Sequence, residues 1–356
     1  MELKKGNSAY RLLVVAPAGV HLKNFLSRIQ SETEAIHVIT TEPKTTNYPE
    51  TVLDFSYKSP RNFIKIPQAI RRVHDDFKPD IVHTHQLNSI SFFTLLALRK
   101  RSTPVASTAW GSDVLLSFKR GGLYRRILSF ILDRSDAFTS DSQEVARVMK
   151  DLTKKEIKIV VCNFGADAPT LTLPKEKIIY SNRLQNPLYR IDKIINRFAE
   201  FKATSAGADW RLILAGSGTE SERLKNLISS LGISESVDFQ GWVGKDQNEK
   251  NYAKSAVWVS IPESDATPIS MLEAMYHGCF PVVVDLPSIR EWIEDGENGK
   301  LVSEVDQPFF SEYLNEIDES IAEKNRALVD QKGSARAANQ CFSAIHRRLM
   351  NRSMDD

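Results

Sequence analysis

The feature that most constrains this chain is a rhythm. Short β-branched or apolar runs alternate with segments of helical period: "RLLVVAP" then "HLKNFLSRIQ", "IHVITT", "PDIVHTH" then "SFFTLLALRKR", "PVASTAW", and "AFTSD" then "SQEVARVMKDL". Strands separated by helices need crossover connections, so the pattern predicts a parallel sheet with helices on its faces. It restarts at "KIIYSNRL" and runs on through "IDKIINRFAEFK", "WRLILAGSG", "ERLKNLISSLG", "VDFQGWV", "AVWVSIP" and "FPVVVD". Between the two series, Gly165, Pro169 and Pro174 interrupt "VVCNFGADAPTLTLPKEK" and leave a linker at about Asn163 to Lys175. The reading is α/β: two doubly wound domains over residues 1–165 and 166–335, and a closing helix over 336–356 that the stretch "GSARAANQCFSAIHRRLM" leads into. A chain of 356 residues is long enough for two cores of ordinary size.

Charge separates the two series. Residues 1–165 hold 25 Lys and Arg against 16 Asp and Glu, and residues 166–356 hold 22 against 29. A basic half attracts phosphates, anionic lipid or nucleic acid. "FKRGGLYRRILSFIL" sets Lys119, Arg120, Arg125 and Arg126 beside Leu123, Tyr124, Ile127, Leu128 and Phe130. This is the composition of a membrane-surface helix, and equally that of a solvated helix face. No apolar run approaches a membrane span, and the N-terminus carries no signal-peptide core. A cytoplasmic chain is expected, with contact at the inner face of the cell membrane. Cys162, Cys279 and Cys341 show no paired metal or redox spacing.

The chemistry concentrates in "IPESDATPISMLEAMYHGCFPVVV". Pro268 suits a first helical position, with Thr267 as its N-cap. Apolar residues surround the predicted helix, so Glu273 is expected to be at least partly buried. A carboxylate leaving water costs several kcal/mol unless it is paired or hydrogen-bonded. Two readings satisfy it: a structural ion pair with Lys or Arg, or a vicinal diol such as a ribose. In the second, the helix N-terminus at Ala266, Thr267, Pro268 and Ile269 would face a diphosphate.

"ESDATPISMLEAMYHGCFPVVVDLPSIREWIEDGENGKLV" resembles the nucleotide-sugar signature of glycosyltransferase family 4. That resemblance implies the GT-B fold: two Rossmann-like domains facing a central cleft, with the C-terminal helix crossing back to the first domain. The family's motif is two glutamates with seven residues between them, and here it reads Asp265 and Glu273. By resemblance Glu273 holds the ribose, and Asp265 lies by the hydroxyls of the transferred sugar. "YSNRLQNPLYRIDKIINRF" resembles the segment whose Arg and Lys bind the donor diphosphate; Arg183 matches the Arg. Its guanidinium fork suits phosphate and neutralises the departing charge. The Lys is absent from its usual place, which leaves Arg190 or Lys193 as the second cation. Gly216 and Gly218 resemble the family's glycine-rich loop, although such glycines also make ordinary turns. Gly241, Trp242 and Val243 match the backbone that touches the base, or else form a strand-end turn.

The first half resembles the acceptor side. Gly19 lies in the first loop, in reach of the diphosphate. Trp110 stands where many relatives carry His. Asp113 is read either as a catalytic group near the acceptor or as a helix cap, and His85 as a crevice residue or a satisfied core histidine. His83 and His85 share a strand face, and Glu263 flanks Asp265, but neither pair makes a metal set. No metal and no cofactor are expected. The resemblance implies a retaining hexosyltransferase that uses a nucleotide-diphosphate sugar as substrate and a glycan or lipid-linked acceptor, in surface polysaccharide biosynthesis. The competing class is a non-catalytic sugar-nucleotide binder or scaffold. A nucleic-acid partner is not expected, because no recognised module is present and the second half is acidic.

Overall fold

A computed structural model describes residues 9–116 and 121–355. Lys119 and Arg120 of the basic segment therefore lie outside the described residues. The chain forms two compact units, one of residues 1–164 with 335–356, the other of residues 165–334.

The first unit carries seven strands: β1 (Tyr10–Val15), β2 (Thr33–Thr40), β3 (Glu50–Val52), β4 (Ile81–His85), β5 (Val105–Thr108), β6 (Ala137–Ser140) and β7 (Ile159–Val161). Its helices are α1 (Val20–Ile29), α2 (Asn62–Phe77), α3 (Ser89–Leu98), α4 (Ser112–Leu115), α5 (Gly122–Arg134) and α6 (Gln143–Asp151). All strand pairs are parallel, in the order β3-β2-β1-β4-β5-β6-β7. The order reverses between β1 and β4, which makes their carboxyl ends the switch point of a doubly wound sheet.

The second unit repeats the plan. Its strands are β8 (Glu176–Ser181), β9 (Arg211–Ala215), β10 (Val237–Gly241), β11 (Ser255–Ser260), β12 (Phe280–Val284) and β13 (Lys300–Val302). Its helices are α7 (Ile191–Lys202), α8 (Ser221–Ser230), α9 (Lys245–Lys254), α10 (Ile269–Tyr276) and α11 (Glu319–Lys332). The order β10-β9-β8-β11-β12-β13 is again parallel throughout, with its switch point between β8 and β11. Every residue of β4 and β12 is buried, as expected for strands covered on both faces. Along β8 the side chains alternate: Ile179 packs with Phe198, Leu212 and Val282, while Ile178 and Tyr180 pack with Trp258, Met271 and Met275.

The closing helix α12 (Ala335–Asp355) belongs to the first unit. It is fastened there by a buried polar chain. Tyr10 OH meets His346 Nδ1 at 2.6 Å, His346 Nε2 meets His83 Nδ1 at 2.8 Å, and His83 Nε2 meets Thr108 Oγ1 at 2.7 Å. Phe342 of α12 packs edge-on against Phe25 of α1. Buried polar groups are tolerated when each finds a partner, and here the sharing also fixes the helix's register.

Most of the apolar side of the basic segment packs inward. Along α5, Leu128, Ile131 and Leu132 are buried, Phe130 stacks near Phe92 of α3 at 5.1 Å, and Tyr124 OH donates to the Asp113 carbonyl at 3.0 Å. Most of the apolar side thus faces the core. Only Leu123, 74% exposed, stands outward with the exposed Arg125 and Arg126. Among the described residues, no helix is long and apolar enough to cross a membrane.

Candidate functional site at the switch point of the second sheet

Arg183 follows β8 and Asp265 follows β11, so the chain brings them together across the switch point from 82 positions apart in sequence. Arg183 Nη2 donates to Asp265 Oδ2 at 2.5 Å, and Nη1 donates to Ser270 Oγ at 2.7 Å in the first turn of α10. The Tyr189 ring supports the guanidinium from 4.4 Å. The Arg183 side chain is 12% exposed, and its Nε is buried with no hydrogen-bond partner. A guanidinium has five N–H donors and these contacts use two. Burial pushes the Asp265 carboxyl above the usual carboxylate range, and Arg183 with the Ala266 N–H offsets only part of that shift.

Gly216 and Gly218 set the height of this group. Gly216 has φ +99°, and a Cβ on it would stand 2.5 Å from the Arg183 carbonyl oxygen; a Cβ on Gly218 would overlap the Gln185 carbonyl. The two glycines let the loop after β9 lie against residues 183–185, an approach any side chain would block. The Gly216 N–H also donates to the Gly241 carbonyl at 2.6 Å.

Glu273 lies three residues after Ser270, on the same face of α10. Met271, Leu272, Ala274 and Met275 are buried on the other side, and Glu273 is half-buried. Its Oε2 accepts from the Tyr252 hydroxyl at 3.0 Å. Tyr252 OH accepts from Asn182 Nδ2 at 2.6 Å, and Asn182 Oδ1 accepts from the Trp258 indole at 3.0 Å. The carboxylate is therefore oriented by neutral donors that start from the core of the sheet.

Several expectations change. Pro268, not Thr267, is the N-cap, and α10 begins at Ile269; the Thr267 hydroxyl accepts from the Trp292 indole at 3.2 Å and is not used as a cap. Lys193 bonds Asp306 at 2.5 Å, whereas Arg190 lies 3.9 Å from Glu263 on the loop that carries Asp265. Trp242 is 75% exposed, and Gly241 beside it has φ +68°. The side-chain roles of Ser270, Tyr189, Asn182 and Tyr252 were missed. Each is an ordinary residue in its own segment and gains meaning only from its neighbours in space.

Residues 167–333 match the family described as Glycosyl transferases group 1, and residues 12–142 the one described as Glycosyl transferase 4-like. The chain belongs to the family-4-like glycosyltransferases with the GT-B fold. Lipopolysaccharide core biosynthesis glycosyltransferase LpsE of Rhizobium meliloti is 27% identical over 240 residues, covering 62% of this chain and 67% of LpsE. An exopolysaccharide phosphotransferase of Streptomyces coelicolor is 31% identical over 152 residues, 42% of this chain and 16% of that one. The matches thus span less than a third of some curated relatives. Among solved structures, Anabaena HepE in complex with UDP shares the fold with a TM-score of 0.74 at 15% identity, covering 94% of this chain and 99% of that chain. Sucrose-phosphate synthase of Thermosynechococcus elongatus does so with a TM-score of 0.76 at 15% identity, over 96% and 100%.

In this family member the switch point of the first sheet looks different. Gly19, at φ +148°, opens α1 and has open space where a Cβ would be. His85 ends β4 fully buried; its Nδ1 accepts from the Trp110 indole at 3.3 Å and its Nε2 has no partner. Burial pushes His85 down to about 3, with help from His21 and His346, so the ring is neutral at ordinary pH. Asp113 was expected beside the acceptor. It is 2% exposed, and its two oxygens accept from the backbone N–H groups of Leu87 at 2.6 Å and Trp110 at 3.0 Å. It ties the loop after β4 to the loop after β5, and so positions Trp110. His83 is occupied by His346 and Thr108, and among the described residues no group of three His, Cys, Asp or Glu could hold a metal ion.

Proposed function

We propose that this protein transfers a sugar from a nucleotide-diphosphate donor, held by the second unit, to a hydroxyl of a glycan or lipid-linked acceptor met by the first. The observation that carries the reading is Arg183: a guanidinium at a doubly wound switch point, fixed by Asp265 and by Ser270 in the first turn of α10. Diphosphate oxygens would accept from its remaining Nη N–H groups, beside the N-terminus of α10. Glu273 would then accept both hydroxyls of the ribose, and Asp265 would face the sugar. Support comes from the shared fold of HepE, which has been solved with UDP and with UDP-glucose.

In the transfer, the bond from the anomeric carbon to the diphosphate oxygen breaks and the acceptor oxygen bonds to that carbon. The acceptor's proton leaves with the departing diphosphate, whose charge Arg183 neutralises. Arg190 is the second cation in this reading. We infer retention of configuration and independence of metal from the family resemblance. The protein would serve surface polysaccharide assembly, as the relatives' names suggest. A thermal-shift panel of nucleotide sugars tests donor binding, because a ligand of the native state raises the melting temperature with concentration. Radiolabelled transfer to a lipid extract, with and without EDTA, tests the chemistry; donor binding without turnover would instead establish a non-catalytic binder.

The acceptor's lipid setting would be met by Leu123, Arg125 and Arg126 at the start of α5. Each cation near an anionic surface contributes about 1 kcal/mol, screened by salt. Co-sedimentation with anionic vesicles should weaken as salt rises and weaken further in an Arg125→Glu, Arg126→Glu double variant. Equal partition onto neutral and anionic vesicles would remove the membrane contact.

A further inference from the structure

The second unit holds a cavity of about 900 Å³ at the other end of its sheet from the nucleotide site. It opens where β8, β9, β11 and β12 begin, lined by Glu176, Trp210, Ala256 and Gly278. At about 3.3 Å per residue, the six residues of β8 place it on the order of 15–20 Å from the loop that carries Arg183. The lining includes the apolar Leu171, Leu173, Trp210 and Ile317. It also includes Lys175, His277 and Arg326.

Two of these polar groups lack what burial normally demands. Arg326 is half-buried on α11, and among the described residues it makes no hydrogen bond or ion pair. Its guanidinium lies against Gly278, where any Cβ would strike it. His277 Nδ1 is buried without a partner. Burial pushes His277 down to about 4, Glu249 pulls it up, and Lys175 and Arg326 push it further down, so the ring is neutral at ordinary pH. The carboxylates at the rim are already engaged: Glu176 pairs with Arg211 at 3.0 Å and Asp318 caps the Ser320 N–H at 2.9 Å. Glu319 lies seven residues from Arg326, about 10 Å along the helix. Arg326 thus brings a cation with no ion-pair partner to a cavity that is also lined by apolar side chains.

We propose that this cavity is a second binding site, for an amphipathic organic anion whose phosphate or carboxylate meets Arg326 while its apolar body packs on Leu171, Leu173 and Ile317. The site connects to the nucleotide site through one residue. Lys175 Nζ donates to the Tyr252 carbonyl at 2.9 Å, the His277 ring stacks on Tyr252 at 5.5 Å, and the Tyr252 hydroxyl donates to Glu273. Occupancy therefore alters the orientation of Glu273, and this coupling, unlike the binding, rests on the proposed role of Glu273.

Titration calorimetry with octyl phosphate, octanoate, octanol and inorganic phosphate on the full chain tests the site. Octyl phosphate or octanoate should saturate at one per chain, the tighter of the two naming the headgroup, and octanol and inorganic phosphate should bind at least tenfold more weakly. Arg326→Gln, which removes only an unpaired charge, and Leu173→Glu in the partly exposed apolar lining should each weaken binding at least tenfold. Absence of saturable binding by both amphiphiles, or unchanged affinity in Arg326→Gln, would overturn the proposal. So would binding that persists in Arg326→Gln and vanishes in Arg183→Ala, which would move the anion to the nucleotide site. Nucleotide affinity should change at least threefold when the cavity is saturated, and an unchanged value would overturn the coupling.

Discussion

The two sheets share one strand order through six strands, yet the loops beyond their switch points carry opposite chemistry. In the second unit, charges gather there: Arg183 against Asp265, with Glu273 one turn along α10. In the first, aromatic rings and neutral histidines gather: His85 under Trp110, and His83 bonded to His346. The Asp113 carboxylate there is taken up by backbone N–H groups. Topology supplies the position of a site, and the loop side chains decide whether it suits a charged diphosphate or a neutral hydroxyl.

The largest test of that contrast is Arg183→Ala, expected to cost about 10²–10³ in transfer rate, roughly 2.7–4 kcal/mol of charge stabilisation. Arg183→Lys, which keeps the charge and loses the fork, should recover only part. Kinetics with circular dichroism as a folding control checks both; near-normal transfer by Arg183→Ala would remove the site. Glu273→Gln should weaken nucleotide binding by about 1.5–3 kcal/mol, the value of a hydrogen bond to a charged group. Calorimetry with the nucleotide diphosphate reads it, and a loss confined to turnover would move Glu273 away from the ribose.

Gly216→Ala tests whether the second site depends on backbone approach. Its positive φ and the clash with the Arg183 carbonyl predict a loss of about 1–3 kcal/mol of stability, together with weaker donor binding. A variant that binds donor normally would show that the loop need not touch residue 183.

The first unit should break by acid instead. Burial depresses His85 and His346 to about 3, and His83 well below its ordinary value. In the unfolded chain they take up protons near pH 6.5. Below that pH the unfolded state binds more protons, so stability is lost as pH falls from about 6.5 toward about 3. Urea unfolding across that range should show the slope, and His346→Gln should reduce it. The smallest effect belongs to Asp113→Asn, which turns an amide N–H toward a backbone donor. About 1–3 kcal/mol of stability should go, with turnover per folded molecule nearly unchanged; a large fall in turnover at unchanged melting temperature would return Asp113 to the reacting groups.

Much of this was legible in the chain itself. The alternation of "WRLILAG" with "ERLKNLISSLG" gave strand and helix, because side-chain period follows from backbone geometry. Asp265 and Glu273 stood out by resemblance to one family segment, and Arg183 by resemblance to another. The tie between Arg183 and Ser270, and between Glu273 and Tyr252, was not legible, since nothing in either segment names the partner. The apolar side of α5 shows the same gap: its composition suits a membrane surface or a core, and only the packing of Phe130 on Phe92 assigns most of it to the core.

Sequence by itself determined the elements, the two-fold repetition of the α/β plan and the identity of the charged residues, because periodicity and propensity are local. Tertiary structure decided which groups are satisfied. Arg183 keeps an unpartnered Nε while Asp113 has both oxygens engaged, and Lys193 is spent on Asp306 while Arg190 stays beside Glu263. Whether a polar group is satisfied depends on what lies within about 3 Å of it, and the chain sets that distance only after residues far apart in sequence have been folded onto one another.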